Sequence, residues 1–82
     1  MTLPEIYEAI SPMAEQTLQI PHFDSTVSMT STPSWDSLKH VQLLSAIERE
    51  LGIEIADEDA FKLTSAYRLV KYLFSVLEGE AR

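Results

Sequence analysis

The chain is short and acidic. It has 82 residues, with thirteen acidic and six basic side chains and a net charge of -7, which disfavours binding to nucleic acid or to an anionic membrane. A chain of this length forms one modest hydrophobic core, so residues 1–82 are expected to be a single domain. The lack of cysteine excludes disulfides, thiolate metal sites and cysteine nucleophiles.

No sequence signal points to a membrane. Residues 1–5 lack the basic and apolar regions that open a signal peptide. No stretch approaches the roughly 18 consecutive apolar residues of a membrane span. We therefore expect a cytoplasmic protein, a monomer, that binds basic protein surfaces and neither nucleic acid nor membrane.

The first predicted helix covers residues 3–20, where apolar side chains recur every three or four positions. Pro12 lies inside this pattern and is predicted to kink the helix or to divide it. Residues 19–36 form a long loop rich in serine, threonine and proline, and the downstream end of such a loop is a place to look for a site. Its candidate core residues are Phe23, Val27 and Met29.

The second predicted helix, residues 37–51, is the clearest element. Asp36 is a good N-cap residue, and Gly52 is a candidate for the left-handed C-cap. Apolar residues recur between these two caps at helical spacing, and we expect them to face the core. They are Leu38, Val41, Leu44, Ile47 and Leu51.

The remainder is predicted to contain a brief helical turn and a last helix. Acidic residues at 57–59 suit the N-terminus of the turn. Thr64 or Ser65 is predicted to cap the last helix, which should end before Gly79. The expected inward residues are Phe61, Leu63, Leu69, Val70, Leu73, Val76 and Leu77. Four helices, with a long first loop and a very short third helix, predict an all-α bundle.

Ser37 is the first candidate for chemistry. It follows the long loop and opens the clearest helix, so its hydroxyl should be exposed. A phosphate ester at this position would meet free backbone N–H groups and the positive end of the helix dipole. Serine and aspartate are also ordinary residues at helix starts, and position alone favours that simpler interpretation.

Other kinds of site fit the sequence less well. Asp36, Ser37 and His40 supply the residue types of a catalytic triad, but adjacent residues diverge around a helix and so small a bundle hardly encloses a pocket. His22 and Asp24 are only two ligands, which do not make a metal site. We therefore assign no catalytic and no metal-binding residues.

A longer pattern surrounds Ser37. The run Asp36-Ser37-Leu38 opens the second of four helices, the segment Gly-Ile-Glu-Ile at 52–55 follows that helix, and Asp-Glu-Asp-Ala at 57–60 comes next. The tripeptide alone is uninformative, whereas its position and the segment that follows are specific. In this combination the sequence resembles an acyl carrier protein, most strongly between residues 35 and 73.

This resemblance implies a four-helix acyl-carrier-like bundle that is not itself an enzyme. Ser37 would hold covalent 4'-phosphopantetheine, transferred from coenzyme A by a phosphopantetheinyl transferase, and the thiol of that cofactor would hold an acyl group as a thioester. Asp36 would position the site for the transferase, and Leu38 would anchor the helix start in the core. Acyl-loading and acyl-processing enzymes would be the further partners.

The second helix departs from the fatty-acid carriers, whose corresponding helix is typically acidic. Here residues 37–51 contain two bases and two acids and are neutral. Because complementary charge selects partners, we expect a carrier of a polyketide, hybrid-peptide or small-acid pathway. The candidate partner contacts are Trp35, Lys39, His40, Gln42 and Arg49.

Three alternatives remain open at this point. Trp35 also has a structural interpretation, in which the indole packs against the loop and the helix start. The cargo could be an aminoacyl group, as in a peptidyl-type carrier. The chain could also be a carrier-like interaction module that never holds a cofactor.

Overall fold

The computed structural model describes residues 2–80, which form four helices joined by loops. The helices are α1 (Leu3–Leu18), α2 (Ser37–Leu51), α3 (Asp57–Ala60) and α4 (Ala66–Glu80). Helix α1 packs against both α2 and α4. The predicted all-α bundle, with its long first loop and short third helix, is confirmed.

Helix α1 begins with a capping box. The Thr2 hydroxyl accepts a hydrogen bond from the Glu5 N–H, and the Glu5 carboxylate accepts one from the Thr2 N–H. The bond from the Thr2 backbone is the main reason that the pKa of Glu5 is lowered. The helix continues unbroken through Pro12, so the predicted division there is wrong. Pro12 lies on the exposed side, and packing of the opposite face holds the helix together.

The hydrophobic core lies where α1, α2 and α4 meet. Its members recur at helical spacing on each helix, so that each contributes one apolar face. The fully buried residues are Ile6, Ile10, Ala14 and Leu18 of α1, Leu43 and Ile47 of α2, and Ala66, Leu69 and Leu73 of α4. Phe23, the loop residue predicted to be in the core, is also buried.

Backbone hydrogen bonds attach the long loop to the segment that precedes α4. The Met29 N–H donates to the Thr64 carbonyl at 2.9 Å, and the Ala66 N–H donates to the Val27 carbonyl at 2.9 Å. Val27 and Met29 are therefore held against the core, although both remain partly exposed. This attachment positions the loop for the turn into α2.

Three residues predicted to face the core are instead exposed. Leu38 is 65% exposed, Val41 is 62% exposed and Phe61 is 82% exposed. On α2 the buried stripe runs through His40, Leu43, Leu44 and Ile47, which places Leu38 on the opposite side of the helix and Val41 well away from the stripe. The expectation that Leu38 anchors the helix start in the core is therefore wrong.

The predicted caps are confirmed, but the predicted end of the last helix is not. Asp36 caps α2 and Gly52 is its left-handed C-cap. The Ser65 hydroxyl accepts a hydrogen bond from the Arg68 N–H at 3.2 Å, as an N-cap residue does. Helix α4 continues through Gly79 to Glu80, since a single glycine weakens a helix without ending it.

The two left-handed C-caps predict substitutions of opposite effect. Gly52 has φ +66° and open space where the Cβ of another residue would lie, and Gln19 has φ 57°. Gly52→Ala should lower the free energy of unfolding by about 1–2 kcal/mol, because a side chain is strained in this conformation. Gln19→Gly should raise it by up to about 1 kcal/mol for the same reason. Urea unfolding of the three proteins measures both, and changes of the same sign would contradict the assignment.

Candidate functional site

Ser37 occupies the first position of α2, and its side chain is exposed. The Asp36 carboxylate accepts a hydrogen bond from the Lys39 N–H at 2.9 Å, and the Asp36 carbonyl accepts one from the His40 N–H at 2.8 Å. In an α-helix the N–H groups of the first residues have no intrahelical acceptor. The Ser37 hydroxyl therefore lies in solvent at the positive end of the α2 dipole, where an attached anion is favoured.

A groove of about 400 Å³ opens beside Ser37. Its lining comes from α2, α3, the long loop and the segment before α4, and it is mostly apolar. Val41 and Phe61 are two of the lining residues, and both are largely exposed to solvent. Two apolar side chains that the core does not accept thus line a surface groove that begins at the candidate serine.

A chain of two hydrogen bonds ties together three parts of the molecule at this groove. The Trp35 Nε1–H donates to His40 Nδ1 at 3.0 Å. Because an indole nitrogen can only donate, Nδ1 must accept, and the imidazole proton lies on Nε2. His40 Nε2–H then donates to the Ala60 carbonyl at 2.9 Å. We call this arrangement the Trp35–His40–Ala60 clamp, since it joins the end of the loop, α2 and the end of α3.

The clamp corrects two of the predicted partner contacts. Trp35 is 2% exposed and His40 is 9% exposed, so neither presents a surface to a partner. The indole ring lies 6.2 Å from the ring of Phe23 and 5.8 Å from that of His40, which confirms the structural interpretation of Trp35. Lys39 is partly exposed, while Gln42 and Arg49 are exposed, and their role as contacts stays a prediction.

The clamp also separates His40 from the chemistry of Ser37. Both imidazole nitrogens are engaged elsewhere, so His40 is not available as a base for the Ser37 hydroxyl. Within residues 2–80, no three histidine, aspartate or glutamate side chains come together in a way that could hold a metal ion.

Two further interactions hold α3 in place. The Glu48 carboxylate accepts a hydrogen bond from the Ile55 N–H at 2.7 Å, just before α3. The Tyr72 hydroxyl donates to the Asp59 carboxylate at 3.1 Å, and burial together with this bond raises the pKa of Tyr72. Because Phe61 directly follows α3, these contacts and the clamp set the position of one wall of the groove.

One feature of the sequence predicts the burial of His40, although a pattern of apolar residues alone leaves this residue out. His40, Leu43, Leu44 and Ile47 follow the spacing i, i+3, i+4 and i+7 of a buried helical stripe. Treating His40 as a member of that stripe predicts its burial. Nothing in the spacing identifies Trp35 and Ala60 as its partners, because Ala60 lies twenty residues further along the chain.

Comparisons with known proteins agree with this geometry. Residues 35–73 match the family described as "Phosphopantetheine attachment site". Over 61 residues the chain is 38% identical to "Acyl carrier protein, mitochondrial" of Dictyostelium discoideum, a match that covers 66% of this chain and 51% of that protein. Both matches support an acyl carrier protein. The chain spans about half the length of this curated relative.

The match to a phosphopantetheine attachment site indicates covalently attached 4'-phosphopantetheine. The residues at the start of α2 fit that group. An anionic phosphodiester on an exposed serine at a helix start is favoured by the helix dipole. The apolar groove that begins beside Ser37 offers a surface for the attached arm.

The hydrogen bond between Trp35 and His40 predicts the effect of Trp35→Phe. This change keeps an aromatic ring but removes the indole N–H, which leaves His40 Nδ1 without its donor. We expect the free energy of unfolding to fall by about 1–3 kcal/mol, since a buried polar group loses its partner. Urea unfolding followed by circular dichroism measures the change.

The matched control is Tyr67→Phe, which also removes one polar group from an aromatic side chain, but at an exposed position. We expect it to change the free energy of unfolding by less than about 0.5 kcal/mol. Equal losses in the two variants would contradict a special contribution from the clamp.

Proposed function

We propose that this protein is an acyl carrier in which Ser37 is the attachment residue for 4'-phosphopantetheine. The observation that supports this most directly is the exposed Ser37 hydroxyl at the start of α2, within the residues that match the family and beside an apolar groove. The role is that of a carrier and not of a catalyst. Ser37 supplies the oxygen to which the cofactor is joined, and partner enzymes supply the chemistry.

Attachment is a group transfer at phosphorus. The Ser37 oxygen forms a new ester bond to the phosphorus of coenzyme A that carries the pantetheine. The bond from this phosphorus to the other half of coenzyme A breaks, and that half leaves as adenosine 3',5'-bisphosphate. The hydroxyl proton passes to the phosphopantetheinyl transferase. Once attached, the cofactor supplies a thiol that holds an acyl group as a thioester. Asp36 acts through α2: by capping the Lys39 N–H it keeps the helix start formed, with Ser37 exposed at its first position.

The attachment site is tested by intact mass. Incubation with coenzyme A and a broad-specificity phosphopantetheinyl transferase should add the mass of one phosphopantetheine unit. Ser37→Ala should abolish the gain, because no hydroxyl remains at the start of α2. Ser45→Ala is the matched control, since Ser45 is another exposed serine of the same helix, and it should load normally.

The outcome also separates the competing interpretations. An unchanged mass with several transferases would contradict the proposal and favour an interaction module without a cofactor. Loading of Ser37→Ala would show that the attachment residue lies elsewhere. The mass of the group found on the protein from its own cell would distinguish an acyl from an aminoacyl cargo.

We propose further that the pathway is a specialised one, such as a polyketide, hybrid-peptide or small-acid pathway. The support is the neutral α2, on which Lys39 and Arg49 balance Glu48 and Glu50. Gln42 and Arg49 are exposed and Lys39 is partly exposed, so these side chains are accessible to a partner. Complementary charge speeds the encounter between two proteins and disfavours binding of the wrong partner. A neutral α2 is therefore expected to bind a different set of enzymes from an acidic α2.

Charge substitution tests this second proposal. The unaltered protein should support elongation by a reconstituted fatty-acid synthase poorly. The double variant Lys39→Glu, Arg49→Glu changes the α2 charge by -4 and should improve kcat/KM about tenfold or more, because it restores an acidic recognition helix. Efficient elongation by the unaltered protein would contradict the proposal. A double variant with neutral glutamines separates added negative charge from lost positive charge.

Location and assembly remain predictions from the sequence. The helices described within residues 2–80 include none that is long and apolar enough to cross a membrane. The relative from Dictyostelium discoideum has a mitochondrial name, whereas we propose a cytoplasmic location and a monomer for this chain.

A further inference from the structure

The floor of the groove beside Ser37 is formed by buried, closely packed side chains. His40 and Leu44 line the groove, yet they are only 9% and 6% exposed. Behind them Leu43 and Ile47 are fully buried, and Trp35 is 2% exposed. Protein interiors are close-packed, so a group attached at Ser37 can pass beyond the groove only if α2 and α3 separate.

Separation of α2 from α3 is opposed by the Trp35–His40–Ala60 clamp. Moving α3 away breaks the bond from His40 Nε2–H to the Ala60 carbonyl, and turning the imidazole to follow it breaks the bond from Trp35. Either movement leaves a buried donor without an acceptor, which is unfavourable. The contacts of Tyr72 with Asp59 and of Glu48 with the Ile55 N–H oppose the same movement.

The groove itself is half open to solvent. Its walls include Val41 and Phe61, which are 62% and 82% exposed, so a chain lying between them stays in contact with water. Asp57 and Thr64 add polar atoms to the same lining. A long alkyl chain lying here would therefore keep part of its surface in water, whereas a short or polar group has little surface to bury.

We propose that the clamp keeps the bundle closed to the cargo, so that this carrier serves short or polar acyl groups held at the surface and not long alkyl chains taken into the interior. Trp35 and His40 are then positioning residues that decide cargo class through α3, and they do not themselves touch the reacting atoms. This inference rests on the proposed function, because it concerns the group held at Ser37.

The first arm of the test uses the protein before any cofactor is attached. Trp35 is the only tryptophan, so its indole N–H gives a single resolved nitrogen-15 signal. That proton should be protected from exchange with solvent in the unaltered protein. In His40→Leu, which removes both clamp bonds and places an apolar side chain in the buried position, it should exchange about tenfold faster or more. Equal exchange would overturn the clamp as a closure.

The second arm compares cargo lengths. Acetyl-, butyryl- and octanoyl-phosphopantetheine are transferred to Ser37 from the corresponding coenzyme A esters, with intact mass as the check on loading. Release of each acyl group by hydroxylamine should proceed within about twofold for all three in the unaltered protein, because none is enclosed. In Trp35→Phe and His40→Leu the octanoyl form should react about tenfold more slowly than the acetyl form, since its additional methylenes can enter the opened bundle.

Thermal unfolding of the same samples gives a readout that a purely structural role would not change. The midpoint should be independent of acyl length in the unaltered protein and should rise with acyl length in both clamp variants. Ser45→Ala, an exposed α2 variant outside the groove lining, should behave as the unaltered protein does.

The outcomes separate this inference from the proposed function. Absence of any mass gain would overturn the proposed function and this inference with it. Normal loading followed by slower release of octanoyl from the unaltered protein would overturn this inference alone. Equal rates for all lengths in the unaltered protein and in both clamp variants would overturn the role of the clamp.

Discussion

The hydrogen bond between the Trp35 indole and His40 Nδ1 determines how the site of this protein is built. It places the imidazole proton on Nε2, and that proton in turn reaches the Ala60 carbonyl at the end of α3. A four-residue helix is too short to be stable by itself, so its position depends on such contacts from other elements. Phe61 follows α3 directly and lines the groove beside Ser37. The position of this wall therefore depends on the buried hydrogen bonds of the clamp.

The exposed apolar residues around Ser37 follow from the same arrangement. The buried stripe of α2 passes through His40, Leu43, Leu44 and Ile47, and a helix has only one face to give to the core. Leu38 and Val41 consequently lie in solvent, and Val41 lines the groove together with Phe61, which directly follows α3. Apolar surface that is costly for an isolated domain is thus concentrated beside Ser37.

Charge and burial are divided between different parts of the chain. The net charge of -7 comes mainly from α1 and from the segment around α3, whereas α2 is neutral. Asp36 contributes to the site by capping α2, and Glu48 by accepting the Ile55 N–H, so these two acids have specific structural partners. The family match covers residues 35–73, which include the α2 start, the clamp and every groove-lining residue except Met29.

Sequence alone determined the features that depend on neighbouring residues. Capping, turn chemistry and helical periodicity are local, so the bounds of α2, its caps at Asp36 and Gly52, the exposed position of Ser37 and the all-α class all followed from the pattern. Only the tertiary structure decided that Leu38, Val41 and Phe61 are exposed and which groups His40 binds. Leu38, Val41 and Phe61 are apolar yet exposed, whereas His40 is polar yet buried. Their environments depend on where α3 and the long loop lie against α2, and contacts twenty residues apart, such as that between His40 and Ala60, leave no periodic signal in the chain.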